Sequence, residues 1–250
     1  MEKKILYVNW GGLGDHLAFS TLPEIFSKLG YEFYISDKSI FRDPKVYDFI
    51  WGSNPYVKGI TSETANCGHI ENWGVSEPVV FENQHSTHKN IERIYGVDNN
   101  NTYPKIYYKP KKIKEIEDYI LIDLNSFTIR EYPIDNIKSH LLKYKGQKIL
   151  VILTNTYASL VVDNNFFNEL NVEFITTQDI FHYTDLIFSC KKFICLWSGS
   201  SVVSSTVKNM YKENLEIECF KKINDDKCPP NWGTIDKSFG WYGNIDYILI

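Results

Sequence analysis

What the chain lacks narrows its class before any motif is read. None of its apolar runs approaches the roughly 20 residues a helical bilayer crossing needs; residues 119–122 and 149–153 are among the longest. No transmembrane helix is expected, and peripheral membrane contact is left open. Excess positive charge is also missing. Lys and Arg number 27 against 31 Asp and Glu, net −4, so no overall basic field exists to hold a nucleic acid. The start, Met1-Glu2-Lys3-Lys4-Ile5-Leu6, carries no signal-peptide h-region, and a cytoplasmic location is expected. The five cysteines, Cys67, Cys190, Cys195, Cys219 and Cys228, are odd in number and never spaced as CxxC. Neither a disulfide framework nor a zinc cluster is indicated, and they read as thiols, mostly buried. Alanine occurs only three times, at 18, 65 and 158, so serine is expected to stand where alanine would otherwise pack.

What is present is a globular chain: 43% hydrophobic, 15% aromatic and 23% charged over 250 residues, enough for two domains. Residues 4–10 (KILYVNW) read as a strand ended by Gly11-Gly12. A helical pattern follows, with Leu17, Leu22, Ile25, Phe26 and Leu29 on one side, Gly30 at its C-cap and a second strand over 32–35. A βαβ unit thus opens the chain. From 39 to 101 the pattern weakens: short helices over 46–51 and 90–95, a stub of strand at 59–61, and otherwise loops. Lys109-Pro110-Lys111-Lys112 reads as a linker, giving domains 1–112 and 113–250. Beyond it strands (118–124, 148–153, 172–175, 192–197, 215–220) alternate with helices (135–144, 164–170, 178–189, 200–211). That alternation predicts a parallel sheet covered on both faces. The Gly/Pro-rich, aromatic tail ends at 247–250 as a last edge strand or a strap. The fold class expected is therefore α/β, with two Rossmann-like domains whose ligands bind beyond the carboxyl ends of the strands, in a cleft between them.

The loops after strands hold the candidate residues. Gly11-Gly12-Leu13-Gly14-Asp15-His16 joins strand to helix, where glycines bring backbone N–H groups close to a ligand. It is not a dinucleotide fingerprint, because Leu17 stands in place of the third glycine. Asp37, ending the second strand, nevertheless keeps a nicotinamide oxidoreductase among the alternatives. Asp15 reads two ways: as a helix cap, or as a carboxylate that takes a proton from a sugar hydroxyl. His16 is either its hydrogen-bonding partner or a helix-surface residue. In the second half, Ser198-Gly199-Ser200-Ser201 starts another helix, with hydroxyls and N–H groups suited to phosphate or merely to capping. Thr177 and Gln178 offer partners for a nucleobase, and loops at Ser126 and Asn155 end the remaining strands. His85-x-x-His88, with His69 nearby, is a weak metal pattern. Trp232 and Trp241 could stack on a sugar or simply pack.

The segments GGLGDHLAFSTLPEIFSKLGYEFYIS, with Asn54-Pro55-Tyr56-Val57, and TTQDIFHYTDLIFSCKKFICLWSGSSVV resemble glycosyltransferase family 9, the lipopolysaccharide heptosyltransferases. The resemblance covers about a quarter of the chain in the family's order. It implies a GT-B fold, with a glycan or glycolipid acceptor bound mainly by the first domain, a nucleotide-sugar donor by the second, and no cofactor or obligatory metal. Asp15 matches the family's catalytic aspartate, flanked by Gly12, Gly14 and His16 on the acceptor side. Ser198, Gly199, Ser200 and Ser201 match the diphosphate turn, and Thr177 with Gln178 the nucleotide loop, with Ser126 and Asn155 beside them. Departures are Trp197 where the family has Asp, Val202 where it has His, and no counterpart to its donor-side basic residue. A glycosyltransferase is the leading expectation. The alternatives are a catalytically reduced nucleotide- or sugar-binding module and a nucleotide-sugar epimerase or hydrolase of the same fold.

Overall fold

The computed structural model describes residues 2–68, 91–92, 95–97, 99, 101–126, 132–153, 158–159, 167–222 and 242–250. Contacts divide the chain into two compact units, one reaching to Lys109 and including Tyr242, the other beginning at Pro110 and including Gly243–Ile250.

The first unit holds a sheet of β1 (Lys3–Tyr7), β2 (Glu32–Ser36), β3 (Val57–Thr61) and β4 (Cys67–Gly68), ordered β3-β2-β1-β4 and parallel throughout. The helical pattern after β1 is not one helix. It divides into Leu13–Ala18 and Leu22–Lys28, because Pro23 has no N–H to continue the ladder and sits instead at the start of a new helix. Leu29, expected on the buried stripe, is 59% exposed. It lies one residue past the helix end, where the 3.6-residue period no longer applies, and Gly30 follows with φ +89°. The next short helix, Pro44–Tyr47, runs into a π-helical turn, Asp48–Gly52, that buries Phe49, Ile50 and Trp51.

The second unit is built on six parallel strands: β5 (Ile120–Asp123), β7 (Ile149–Leu153), β9 (Val172–Thr176), β10 (Lys192–Leu196), β11 (Glu216–Lys221) and β12 (Asp246–Leu249). Their order is β12-β11-β10-β5-β7-β9. A small antiparallel pair, β6 (Asn125–Ser126) and β8 (Ala158–Ser159), lies outside this sheet. β5, β7 and β10 read as near-continuous apolar runs because both faces of a parallel sheet are covered. On one face Ile120, Ile122, Val151, Ile194 and Phe220 pack against Ile137 and Leu141 of helix Ile134–Leu141. Helices Ile180–Ser189 and Gly199–Met210 also pack on each other. In the latter Ser201, Ser204, Ser205 and Thr206 are fully buried. Ser204 and Thr206 return their hydroxyls to carbonyls of Ser201 and Val202, and Ser205 bonds Asn244 at 2.8 Å. These small polar residues are packed inside the unit with their hydroxyls bonded. The chain's end is a strand, at the sheet edge beside β11. Cys67, Cys190, Cys195 and Cys219 are buried free thiols, and no described helix is long and apolar enough to cross a membrane.

Glu218 of β11 is a buried carboxylate with four donors around it. It accepts from His140 Nε2 (2.8 Å), Tyr144 OH (2.6 Å), Lys192 Nζ (3.1 Å) and Lys143 Nζ (3.2 Å). Burial works against its ionisation, but the bonds from Tyr144, His140 and Lys192 outweigh it and hold the carboxyl down at about 2, against an ordinary 4.5. Its stabilisation is therefore complete above pH 4.5 and lost as the pH falls toward 2. Glu218→Ala should lower stability at neutral pH by about 3 kcal/mol. In urea unfolding the gap between variant and parent should close as the pH is taken from 4.5 to 2.

Candidate active site

In the first unit the end of β1 leads through Gly11 and Gly12 into helix Leu13–Ala18. Gly12 is its N-cap, and the Asp15 carboxylate reaches back to accept the Gly12 N–H at 3.0 Å. The two glycines are there because neighbours come close. A Cβ on Gly12 would lie 2.6 Å from Asp15 Oδ2, and one on Gly11 would lie 2.9 Å from the backbone nitrogen of Arg42. Asp15 is half-buried. Burial raises its proton affinity above the ordinary carboxylate range, partly offset by the Gly12 N–H and the charge of Arg42. The carboxylate thus does cap its helix, and it is also a base of raised strength held at a strand end.

His16 follows neither of the expected readings: it is completely buried, and its two ring nitrogens are bonded to Ile40 and Trp51 rather than to Asp15. Its Nδ1 accepts from Trp51 Nε1 at 3.0 Å, so the ring is the Nε2–H tautomer, which donates to the carbonyl of Ile40 at 2.8 Å. Phe41 stacks on it with ring centroids 4.5 Å apart. With both nitrogens occupied inside the unit, the imidazole joins the helix to the loop after β2, and a direct bond to substrate is not open to it. Burial pushes its pKa down from 6.5 to about 4 despite the bond to Ile40.

Arg42 was not among the residues singled out from the sequence. It lies in the loop after β2, exposed, with its N–H on the carbonyl of Gly11 at 3.1 Å. Only the general rule that ligands meet such sheets at strand ends could have drawn attention to that loop.

In the second unit the end of β10 leads to Ser198, the N-cap of helix Gly199–Met210, whose Oγ accepts from Ser200 N at 3.3 Å. Ser201 is fully buried and returns its hydroxyl to the Ser198 carbonyl at 2.8 Å. Ser200 Oγ donates to Asp123 Oδ2 at 2.7 Å. Asp123, 4% exposed at the end of β5, also takes Tyr183 OH at 2.6 Å, and the N–H and side-chain amide of Asn125. Burial, then the charge of Asp123 and the bond to it, raise the Tyr183 phenol well above its usual range. The serine hydroxyls expected to bind phosphate are thus engaged within the protein, and so are the N–H groups of Ser200 and Ser201, which bond Ser198 Oγ and the Ser198 carbonyl. One residue upstream, the Trp197 ring carries the Lys221 ammonium 4.2 Å from its centroid.

Thr177 is half-buried and Gln178 exposed, in the loop where Asp179 caps helix Ile180–Ser189 by accepting His182 N at 2.8 Å. Ser126 is half-buried in β6. Asn155, His69, His85, His88, Trp232, Trp241 and Cys228 lie outside the described residues. Within the described residues no group of three His, Cys, Asp or Glu is arranged to hold a metal ion.

No protein-family model matches the chain, and no curated protein matches it. Solved structures do. A glycosyl transferase family 9 protein from Veillonella parvula superposes with a TM-score of 0.66 at 10% identity, over 100% of this chain and 85% of that one. The E. coli heptosyltransferase WaaC, solved with ADP-2-deoxy-2-fluoro heptose, gives 0.57 at 9% identity, covering 98% of this chain and 92% of that one. The iron-containing dodecameric glycosyltransferase TibC of enterotoxigenic E. coli gives 0.57 at 16%, over 88% of this chain. This chain spans 57% of the length of TibC. The fold is therefore α/β of the GT-B type, the fold of family 9 glycosyltransferases.

The His16 tautomer makes a forecast of its own. A histidine held neutral to about pH 4 stabilises the fold fully above 6.5, its unfolded value. That stabilisation is lost as the pH falls from 6.5 to about 4, by about 3 kcal/mol. Ring ¹⁵N shifts should report an Nε2–H imidazole at pH 5, and urea unfolding should show the decline. A ring that charges near pH 6.5 would contradict the bonding described.

Proposed function

We propose that this chain is a cytoplasmic glycosyltransferase that moves a sugar from a nucleotide-diphosphate-sugar to a glycan or glycolipid acceptor, with Asp15 as the base. The observation that carries this reading is the half-buried Asp15 carboxylate, of raised proton affinity, at the first strand-to-helix turn of a family 9 fold. Two of the structural neighbours were solved with ADP-heptose compounds, which supports a nucleotide-sugar as the donor class here. The first unit, with Gly12, Gly14 and Asp15, serves the acceptor. The second, with Ser198, Gly199 and the Thr177–Gln178 loop, serves the donor.

In the proposed reaction an acceptor hydroxyl attacks the donor's anomeric carbon while Asp15 takes its proton. The bond from that carbon to the diphosphate breaks, and the nucleoside diphosphate departs with the electron pair. The positive end of the dipole of helix Gly199–Met210 stabilises the departing charge. A divalent ion is not needed for that role. Calorimetry in EDTA should retain nucleotide-sugar binding, and complete dependence on a divalent ion would overturn the metal-free form of the proposal.

A second reading, a nucleotide- or sugar-binding module without turnover, is favoured by the internal engagement of the Ser200 and Ser201 hydroxyls. Asp15→Asn separates the two. Asparagine keeps a side-chain oxygen to accept the Gly12 N–H but cannot take the proton. Stability should barely change, donor affinity should persist, and nucleotide release in the presence of acceptor should fall about 10²- to 10⁴-fold. Equal rates for variant and parent would return Asp15 to a capping role, and binding without release by the parent would favour the module.

A further inference from the structure

Asp15 is not isolated at its turn. The loop after β2 is drawn onto the turn by a series of contacts. Ser39 Oγ accepts Val8 N at 3.2 Å, and Ile40 N donates to the Val8 carbonyl at 3.0 Å. The Ile40 carbonyl takes His16 Nε2, Phe41 stacks on the same imidazole, and Arg42 N bonds Gly11 O at 3.1 Å. The backbone of Arg42 is thereby pinned to the first glycine of the turn. Its side chain turns to the same side: the point where a Gly12 Cβ would stand is 2.6 Å from Asp15 Oδ2 and 3.5 Å from an Arg42 guanidinium nitrogen.

We propose that Arg42 is the positioning residue of Asp15, a guanidinium brought from a separate loop to balance the carboxylate's charge and keep it aimed at the open side of the turn. The inference deepens the reading of Asp15 as a base and rests on it for its consequence in turnover. Among the described residues the Asp15 carboxylate has one short hydrogen bond, from Gly12 N–H, and a half-buried carboxylate so placed needs further compensation to stay charged near neutrality. Arginine is suited to supply it, since it never deprotonates and its exposed head stays hydrated while its field acts on the carboxylate. The other titratable group at the turn, His16, is neutral above about pH 4 and bonded to Ile40 and Trp51, so it contributes no charge.

The pairing can be measured without any substrate. The Asp15 carboxyl ¹³C resonance, assigned by its loss in Asp15→Asn, is titrated in the full chain for the parent, Arg42→Gln, Arg42→Ala and Arg42→Lys. The neutral variants keep the backbone N–H that bonds Gly11, and the Trp51 indole resonance reports whether the turn is intact. The Asp15 midpoint should rise by about one unit in Arg42→Gln and Arg42→Ala, and by less than half of that in Arg42→Lys. A midpoint unmoved in both neutral variants overturns the proposal. Where the parent transfers sugar, the acid limb of kcat/KM should move to higher pH with the same midpoint, an effect that a merely structural arginine would not produce. A shifted midpoint in a protein that turns over no nucleotide-sugar would leave the Arg42–Asp15 pairing standing and remove the transferase reading, so the two failures are distinct.

Discussion

The neutral imidazole of His16 is the joint on which the first unit's site depends. One nitrogen must accept from Trp51 and the other must donate to Ile40, an arrangement available to a single tautomer and to no charged form. Charging the ring would set two donors against each other at Trp51, where both side chains are buried from solvent. Through this ring the helix bearing Asp15 is tied to the loop bearing Arg42 and to the π-helical turn that buries Trp51. The close approach at Gly11 and Gly12 follows from that tie. A side chain at either position would push the loop or the carboxylate away.

Asp123 plays the corresponding part in the second unit. It is a buried carboxylate at the end of β5, satisfied by Tyr183, Ser200 and Asn125. Because Ser200 lies in the first turn of helix Gly199–Met210, the carboxylate also acts as a built-in counter-charge for the positive end of that helix. The helix start is thus one whose hydroxyls are committed and whose dipole is partly answered. Lys221, at the end of β11, sets its ammonium against the Trp197 ring that follows β10, 4.2 Å from the ring centroid.

Much of the fold was legible in the chain because its signals are local. Apolar runs such as residues 149–153 and 193–196 announce covered parallel strands, and glycines followed by periodic apolar residues announce the turns and helices between them. The reading failed where a local rule was overridden by another. Pro23 broke a helix that hydrophobic spacing alone would have continued, and Leu29, one residue past the end of the second helix, is on the surface. In the candidate site the position of Asp15 was visible in the Gly-Gly-Leu-Gly-Asp run, while its surroundings were not. The serines at 198, 200 and 201 looked alike in sequence, yet one caps, one serves a buried carboxylate and one is sealed in the core.

By itself, then, the sequence determined the alternation of strands and helices, the parallel sheets, the glycine turns and the placing of a carboxylate at the first of them. These depend on residue spacing and on backbone freedom over a few positions. Tertiary structure alone decided that His16 would be a neutral structural joint, that Arg42 would face Asp15 and that Asp123 would claim Ser200 and Tyr183. Each of these is a meeting of side chains from separate loops or strand ends. Burial and the obligation to satisfy every polar group within it assign those side chains their partners, and neither condition exists until the chain has folded.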